Sequence, residues 1–433
     1  IDPELSVERD NWNGATLTIS RSGGASSHDV FGSSGNLASI TGATGSITLS
    51  GTTLGTYTNS AGILTITFTS SNATAARVNE LLQSITYSNS QTSAGSLAYN
   101  TVDLVVTIND QNSNIGGSSS RTVSGSITLP SGNPASVVLN ASGSVAYVTD
   151  QGNGVVRVIN TATNTVNASI TVGSGPTLVA LTPDGSRAYS TNFSSNSLSV
   201  INTSINTVSG TITGLNQPIG IALSPDGSCA YVANYGAGTV SVVNTTSNAV
   251  TSTISVGTNP YWLAVSPDGT RTYVVNYGGN TVSVINNSTN NVISTISVNG
   301  SPSGVAVSSD GSKVYVASRN NGGKVEVIST ATNTVTSTIT GVGSNPYYIT
   351  LSQDDQFAYV ANNVTAGSVA VIKTATNTVV DTIALGSQAT GLAISAENTL
   401  YVAQFSTPSL AYIADAVYPI AGTTTGKQDQ GTG

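Results

Sequence analysis

The chain has no methionine, one cysteine (Cys229), one histidine (His28) and only 7% charged residues. Each shortage excludes something. A single cysteine forms no disulfide within the chain, and Cys229 occupies a strand entry where other repeats carry Val145, Arg187, Arg271 and Lys313, so it reads as an inert packed thiol. Metals that prefer nitrogen or sulfur are excluded, because His28 and Cys229 are the only such side chains and fall in different domains. The 12 Lys+Arg are scattered singly against 20 Asp+Glu, for a net charge of -8, which leaves no basic stripe for nucleic acid. No apolar run approaches the roughly eighteen residues of a membrane helix, so no transmembrane segment is expected. The chain begins at Ile1 without a charged-then-apolar leader and reads as mature or excised. Low charge with a surface of Ser, Thr, Asn and Gly suits an extracellular or cell-surface setting.

What is present is a repeat. Tyr147-Val-Thr-Asp150, Tyr189-Ser-Thr-Asn192, Tyr231-Val-Ala-Asn234, Tyr273-Val-Val-Asn276, Tyr315-Val-Ala-Ser318, Tyr359-Val-Ala-Asn362 and Tyr401-Val-Ala-Gln404 follow one another at steps of 42 residues, with one step of 44. A period near forty with strand patterning in every copy predicts a radially repeated sheet, since one small blade cannot bury both faces alone. Four strands fit each copy. In the third they are 220–223, 229–233, 239–243 and 249–254, and Pro225-Asp226-Gly227 supplies the fixed and positive φ of the first turn. Asp226, like Asp184 and Asp268 in the same setting, is therefore read as a turn former. Residues 122–129 match a fourth strand but precede any first, and after Tyr401 the chain offers a third strand and no fourth. The leading strand is expected to complete the last blade and close a seven-bladed propeller.

Residues 1–110 lack the period and read as a β-sandwich with strands near 15–19, 45–49, 62–68 and 102–108. One helix is predicted over 74–83, with Val78, Leu81 and Leu82 on one face and Asn72 or Thr74 as its cap. Residues 111–120 read as a linker, 121–420 as the propeller and 421–433 as a polar tail. The fold class is all-β.

With Pro-Asp-Gly before the Tyr-Val core and Thr-Asn-Thr-Val at Thr163, Thr332 and Thr376, the repeats resemble the YVTN family of β-propellers found in surface-layer and other secreted proteins. That resemblance covers about 300 residues, and it implies a scaffold more than an activity. The front domain resembles the cadherin-like modules of very large bacterial surface proteins through 13–21, Asp29-Val-Phe31, Leu54-Gly-Thr-Tyr57, 64–68, 82–87 and 108–112. Those modules begin with one more strand than precedes Leu5, so either the chain was cut from a longer one or a neighbouring molecule supplies the strand.

Two candidate sites emerge. Asp2, Glu4, Glu8 and Asp10, with Asn109, Asp110 and Asn112 at the domain junction, offer the hard oxygens calcium prefers, against the alternative that Asn and Asp simply make turns. The second is aromatic. Tyr261, Trp262, Tyr347 and Tyr348 follow Pro260 and Pro346, while Phe193, Tyr235, Tyr277 and Phe405 follow the Asn or Gln positions, and both connections reach the same face of a propeller. Such rings can stack on sugars, or else cap the blades and plug the channel. Gly220, Gly304 and Gly391 replace the bulky residues in other blades, which predicts an asymmetric mouth. Enzymatic readings lack parts: the propeller has no histidine, and Glu326, Asp381, Glu397 and Asp415 fall in different repeats with no consistent partner. The expectation is a non-enzymatic structural protein, a subunit of a surface fibre, lattice or sheath whose partner is itself, as a homopolymer, or other surface proteins. The alternative is an adhesin or glycan-binding module.

Overall fold

The repeat folds as four antiparallel strands, in the third copy Pro218–Leu223, Cys229–Asn234, Thr239–Asn244 and Ala249–Ser255. Its middle strands carry Val, Ala and Tyr in near-continuous runs and are buried on both faces, because a blade stacks on each side. The last strand lies on the rim and is largely exposed, with Ile254 its one buried residue. Tyr189, Tyr273, Tyr315 and Tyr359, the repeat tyrosines, are among the largest fully buried side chains. This computed structural model describes residues 16–21, 29–40, 42–70, 72–89, 102–109, 122–320, 322–395, 398–414 and 423–428. It divides into two units, one of residues 1–119 with 419–433 and one of residues 120–418.

The second unit is a seven-bladed β-propeller. Six blades are contiguous in sequence, and the seventh joins Ala389–Ile394, Leu400–Gln404 and Ser409–Ile413 to Gly125–Thr128. Leu410 faces Ile127 across that last ladder, and Ile127 and Leu129 pack with Val137, Ala146 and Leu410. The seventh blade then meets the first: Thr390 Oγ1 donates to the Pro134 carbonyl at 2.9 Å, and Asn133 Nδ2 to the Phe405 carbonyl at 3.2 Å.

Turn chemistry sets the register of each blade. Asp226 accepts from Ser224 Oγ, Ser228 N and Ser228 Oγ, and Ser224 Oγ in turn accepts from Cys229 N at 3.0 Å. Asp184, Asp268 and Asp310 repeat this network. Hydrogen bonds from the hydroxyl two residues before and the amide two residues after hold all four carboxyls low, Asp184 and Asp310 at about 2. A depressed folded-state pKa stabilises the fold above the unfolded value of about 3.9, and that contribution disappears as pH falls toward 2. Thermal melts should therefore be flat from pH 7 to 5 and drop between pH 4 and 2. An Asp184→Asn, Asp310→Asn double variant should show a shallower drop over the same interval.

The residue that ends each Tyr-Val-x core is a buried latch. Asn234 Nδ2 donates to Thr239 and Ser241 on the next strand while its Oδ1 accepts from Asn216 N; Asn276 does the same with Thr281, Ser283 and Gly257 N. In the first blade the latch is ionic, with Asp150 accepting from Arg157 Nη2 at 2.8 Å and from Asn133 N at 2.9 Å. The fifth blade moves the acceptor across the ladder, so that Glu326 accepts from Ser318 Oγ and Asn299 N, both at 2.8 Å. Glu326 thus has a partner that its sequence context did not reveal. Asp381 accepts from the amide of Thr382, and Glu397 and Asp415 lie outside the described residues.

In the first unit the strands are β1 Thr16–Arg21, β2 Asp29–Ser33, β3 Thr44–Leu49, β4 Thr52–Ser60, β5 Ile63–Phe68, β6 Ile85–Asn89 and β7 Val102–Asn109. Helix α1 spans Ala75–Ser84, with Thr74 at the cap position but making no side-chain cap bond. Leu17, Ile19, Phe31, Ile47, Leu64, Val78 and Leu81 share one core between the sheets and the helix. Sequence patterning found neither β2, β4 nor β6. The larger sheet runs β3-β4-β5-β1-β7 and ends on Thr423–Gln428, which lies antiparallel to β7 with Thr423 opposite Thr107 and Gln428 opposite Val102. The segment expected to be a polar tail is thus, over these six residues, an edge strand. Its Thr-rich composition suits a pleated edge.

Candidate functional site

Two positions per blade build one face of the propeller: the second residue of the first strand, and the residue just after the latch. In the first set are Ala135, Thr177, Ile219, Tyr261, Tyr347 and Thr390, and in the second Gln151, Phe193, Tyr235, Asn363 and Phe405; together they line a cavity of about 440 Å³. The face is asymmetric. The first blade contributes no ring, only Ala135 and Gln151, whereas the fourth and sixth place Tyr261 and Tyr347 on their first strands.

The aromatic residues singled out in the sequence come together here. Phe193 meets Tyr235 at 6.3 Å between ring centroids, Tyr235 meets Tyr261 at 6.2 Å, and Tyr261 meets Tyr277 at 5.5 Å. Tyr261 Oη donates to Tyr347 Oη at 2.7 Å. Phe405 lines the same cavity without joining this chain of ring contacts. Trp262 lines the cavity too, and Trp262 and Tyr348 also pack on each other, as the channel-plugging alternative has it. They lie one residue further along the first strands, and their rings stack edge to face at 4.9 Å and 85°. The blade between them carries Gly304, where an added Cβ would lie 3.0 Å from the Tyr348 Cα and the Tyr347 carbonyl. Glycine therefore lets the neighbouring strand approach rather than leaving the channel open, and the two large rings reach across it and fill the axis. Trp262 is only 5% exposed.

Burial, reinforced by Tyr261, pushes the Tyr347 hydroxyl well above the usual phenol range, with the Arg319 guanidinium pulling the other way. Burial alone pushes Tyr348 up to about 12. Both phenols stay protonated at neutral pH.

Sequence reasoning missed Arg319. It follows Ser318, the shortest latch residue, in the blade whose second first-strand residue is the small Ser303, and its guanidinium carbon sits 4.4 Å from the Tyr347 ring centroid, 5.0 Å from Tyr261 and 5.1 Å from Tyr277. Aligning the residue after each latch, where the other blades carry Gln, Phe, Tyr or Asn, isolates it as the one cation.

The calcium set is a separate matter. Asp2, Glu4, Glu8, Asp10, Asp110 and Asn112 lie outside the described residues, and Asn109 is placed only as the β7 residue opposite Thr16. Among the described residues no three His, Cys, Asp or Glu gather as a metal site, and no helix is long and apolar enough to cross a membrane.

Comparison with known proteins places the fold. Residues 142–255 match the family described as Lactonase, 7-bladed beta-propeller, about a quarter of the chain. A solved chain of Kuenenia stuttgartiensis hydrazine synthase superposes with a TM-score of 0.62 at 20% identity, covering 67% of this chain and 98% of that one. With 1797 solved chains matching, the likeness identifies a widely used scaffold and does not discriminate among its uses. No curated protein matches the sequence.

Proposed function

We propose that the chain is a non-enzymatic extracellular structural protein, a subunit of a cell-surface fibre, lattice or sheath that assembles through its N-terminal domain. The observation that carries this reading is the strand Thr423–Gln428 on the β7 edge. A sheet completed by a segment more than 300 residues away in sequence can be completed as well by the same segment of a second copy, because the ladder bonds are identical in either case. The YVTN-like repeats and the cadherin-like front domain belong to the same reading, since both resemble modules of surface proteins. A general base requires a titrating group at the mouth, whereas the lining consists of rings, amides, hydroxyls and alkyl groups.

Negative-stain electron microscopy of the purified chain tests it. Regular filaments or sheets are expected in millimolar calcium, and a variant lacking residues 423–428 should give dispersed particles. Dispersed particles from the unaltered chain at every concentration would sink self-assembly. Loss of order in chelator would assign the junction oxygens to the contacts.

The aromatic mouth favours a second reading, a glycan-binding or adhesive role. Its cavity accommodates a short saccharide, and Tyr261, Tyr235 and Phe193 present rings with polar neighbours, as sugar platforms do. A Trp12→Phe variant leaves Trp262 as the sole indole, and saccharide binding at the mouth should change its emission.

A further inference from the structure

We infer that the mouth selects acidic saccharides, with Arg319 as the residue that sets this preference; the inference rests on the glycan-binding reading. Three observations combine. Arg319 is enclosed by the rings of Tyr261, Tyr277 and Tyr347, yet its Nε and Nη2 are buried without a hydrogen-bond partner. Among the described residues it has no carboxylate partner either: Glu326, the nearest acid in sequence, accepts from Ser318 Oγ and Asn299 N. Among the described residues no Asp, Glu, Lys or Arg lines the cavity itself, and Arg319 is linked to it through the lining rings of Tyr261 and Tyr347.

A guanidinium held among rings retains its charge, since arginine is not deprotonated in proteins, and ring faces neutralise only part of it. In a chain with net charge -8, this leaves a local positive potential at an otherwise uncharged aromatic mouth. The tyrosine cage also fixes where the charge sits, because three rings hold the guanidinium plane and the Tyr261–Tyr347 hydrogen bond ties two of them together. A ligand that stacks on Tyr261 and Tyr347 lies against the rings that carry this charge on their other contacts. Among saccharides, those carrying a carboxylate are attracted by this charge, a neutral sugar gains nothing from it and a cationic one is repelled.

Trigalacturonate and its fully methyl-esterified form differ in charge and share ring stereochemistry, so they isolate the effect. Titrated into the Trp12→Phe protein at low salt, the acid should bind about tenfold or more tightly than the ester, and the gap should close as salt is raised. Arg319→Gln should erase the gap, and Arg319→Lys should keep part of it. Equal affinity for acid and ester, or a gap that survives Arg319→Gln, overturns the inference and leaves the glycan-binding reading standing. No response to either probe overturns both.

Discussion

Replacing residues 122–129 by a Gly/Ser segment of equal length should lower the melting temperature of the propeller by on the order of 10–20 °C. Two buried side chains, Ile127 and Leu129, leave the core of the seam, each contributing roughly 1.5–3 kcal/mol. The ladder between Gly125–Thr128 and Ser409–Ile413 is lost with them and exposes a sheet edge. A domain of this size shifts by about 2–4 °C per kcal/mol, which sets the scale. The informative control restores the strand elsewhere: a second copy of 122–129 placed after Ala414, joined by a short turn, should recover most of the loss. Calorimetry on the three proteins decides the matter. If the Gly/Ser variant melts within a few degrees of the parent, ring closure is not what holds the seventh blade.

The second large effect is expected at the ionic latch of the first blade. Asp150 is fully buried and accepts from Arg157 Nε and Nη2, Asn153 Nδ2 and Asn133 N. Asp150→Ala strands a buried guanidinium, which costs about 3–5 kcal/mol. The other blades show how to repair it. Asp150→Asn with Arg157→Ser installs the pair found at Asn234 and Ser241 or at Asn276 and Ser283, and should bring stability back to within about 1 kcal/mol of the parent. Urea denaturation of the single and double variants measures the difference. A double variant no more stable than Asp150→Ala would show that the latch is not interchangeable between blades.

How much of this was legible in the sequence follows from where repetition helps. The blades were legible because copies at 42-residue steps expose both the buried middle strands and the turn aspartates, and a misreading of one copy is corrected by the others. Repetition fails where one copy departs. Glu326 looked partnerless because its partner is the serine that replaces asparagine, and the exchange shows only across the ladder. Arg319 was overlooked for a different reason: the repeat spacing aligns Tyr261 with Tyr347, two copies apart, but that a cation from the blade between them packs on both rings is a contact only the closed ring makes. Trp262 and Tyr348 were seen as rings at a mouth, but their packing over Gly304 depends on which blades adjoin, a tertiary fact. In the first domain, without repeats, β2 and β6 were missed because both are short and pair only with each other.

The strand Thr423–Gln428 also decides how the chain carries tension. The polypeptide leaves the first unit after residue 119 and re-enters it at 419, so the propeller is an excursion between two strands that neighbour each other in one sheet. Force applied across that sheet passes through its ladders and bypasses all seven blades. Only when the 423–428 ladder gives way does the pull reach the seam, and there Ser124 and Ala414 lie at the same end of the antiparallel pair. Such a pair peels one hydrogen bond at a time rather than shearing all at once. A stretched chain would therefore open its ring gradually and let out length, acting as an extensible reserve behind a stiffer link.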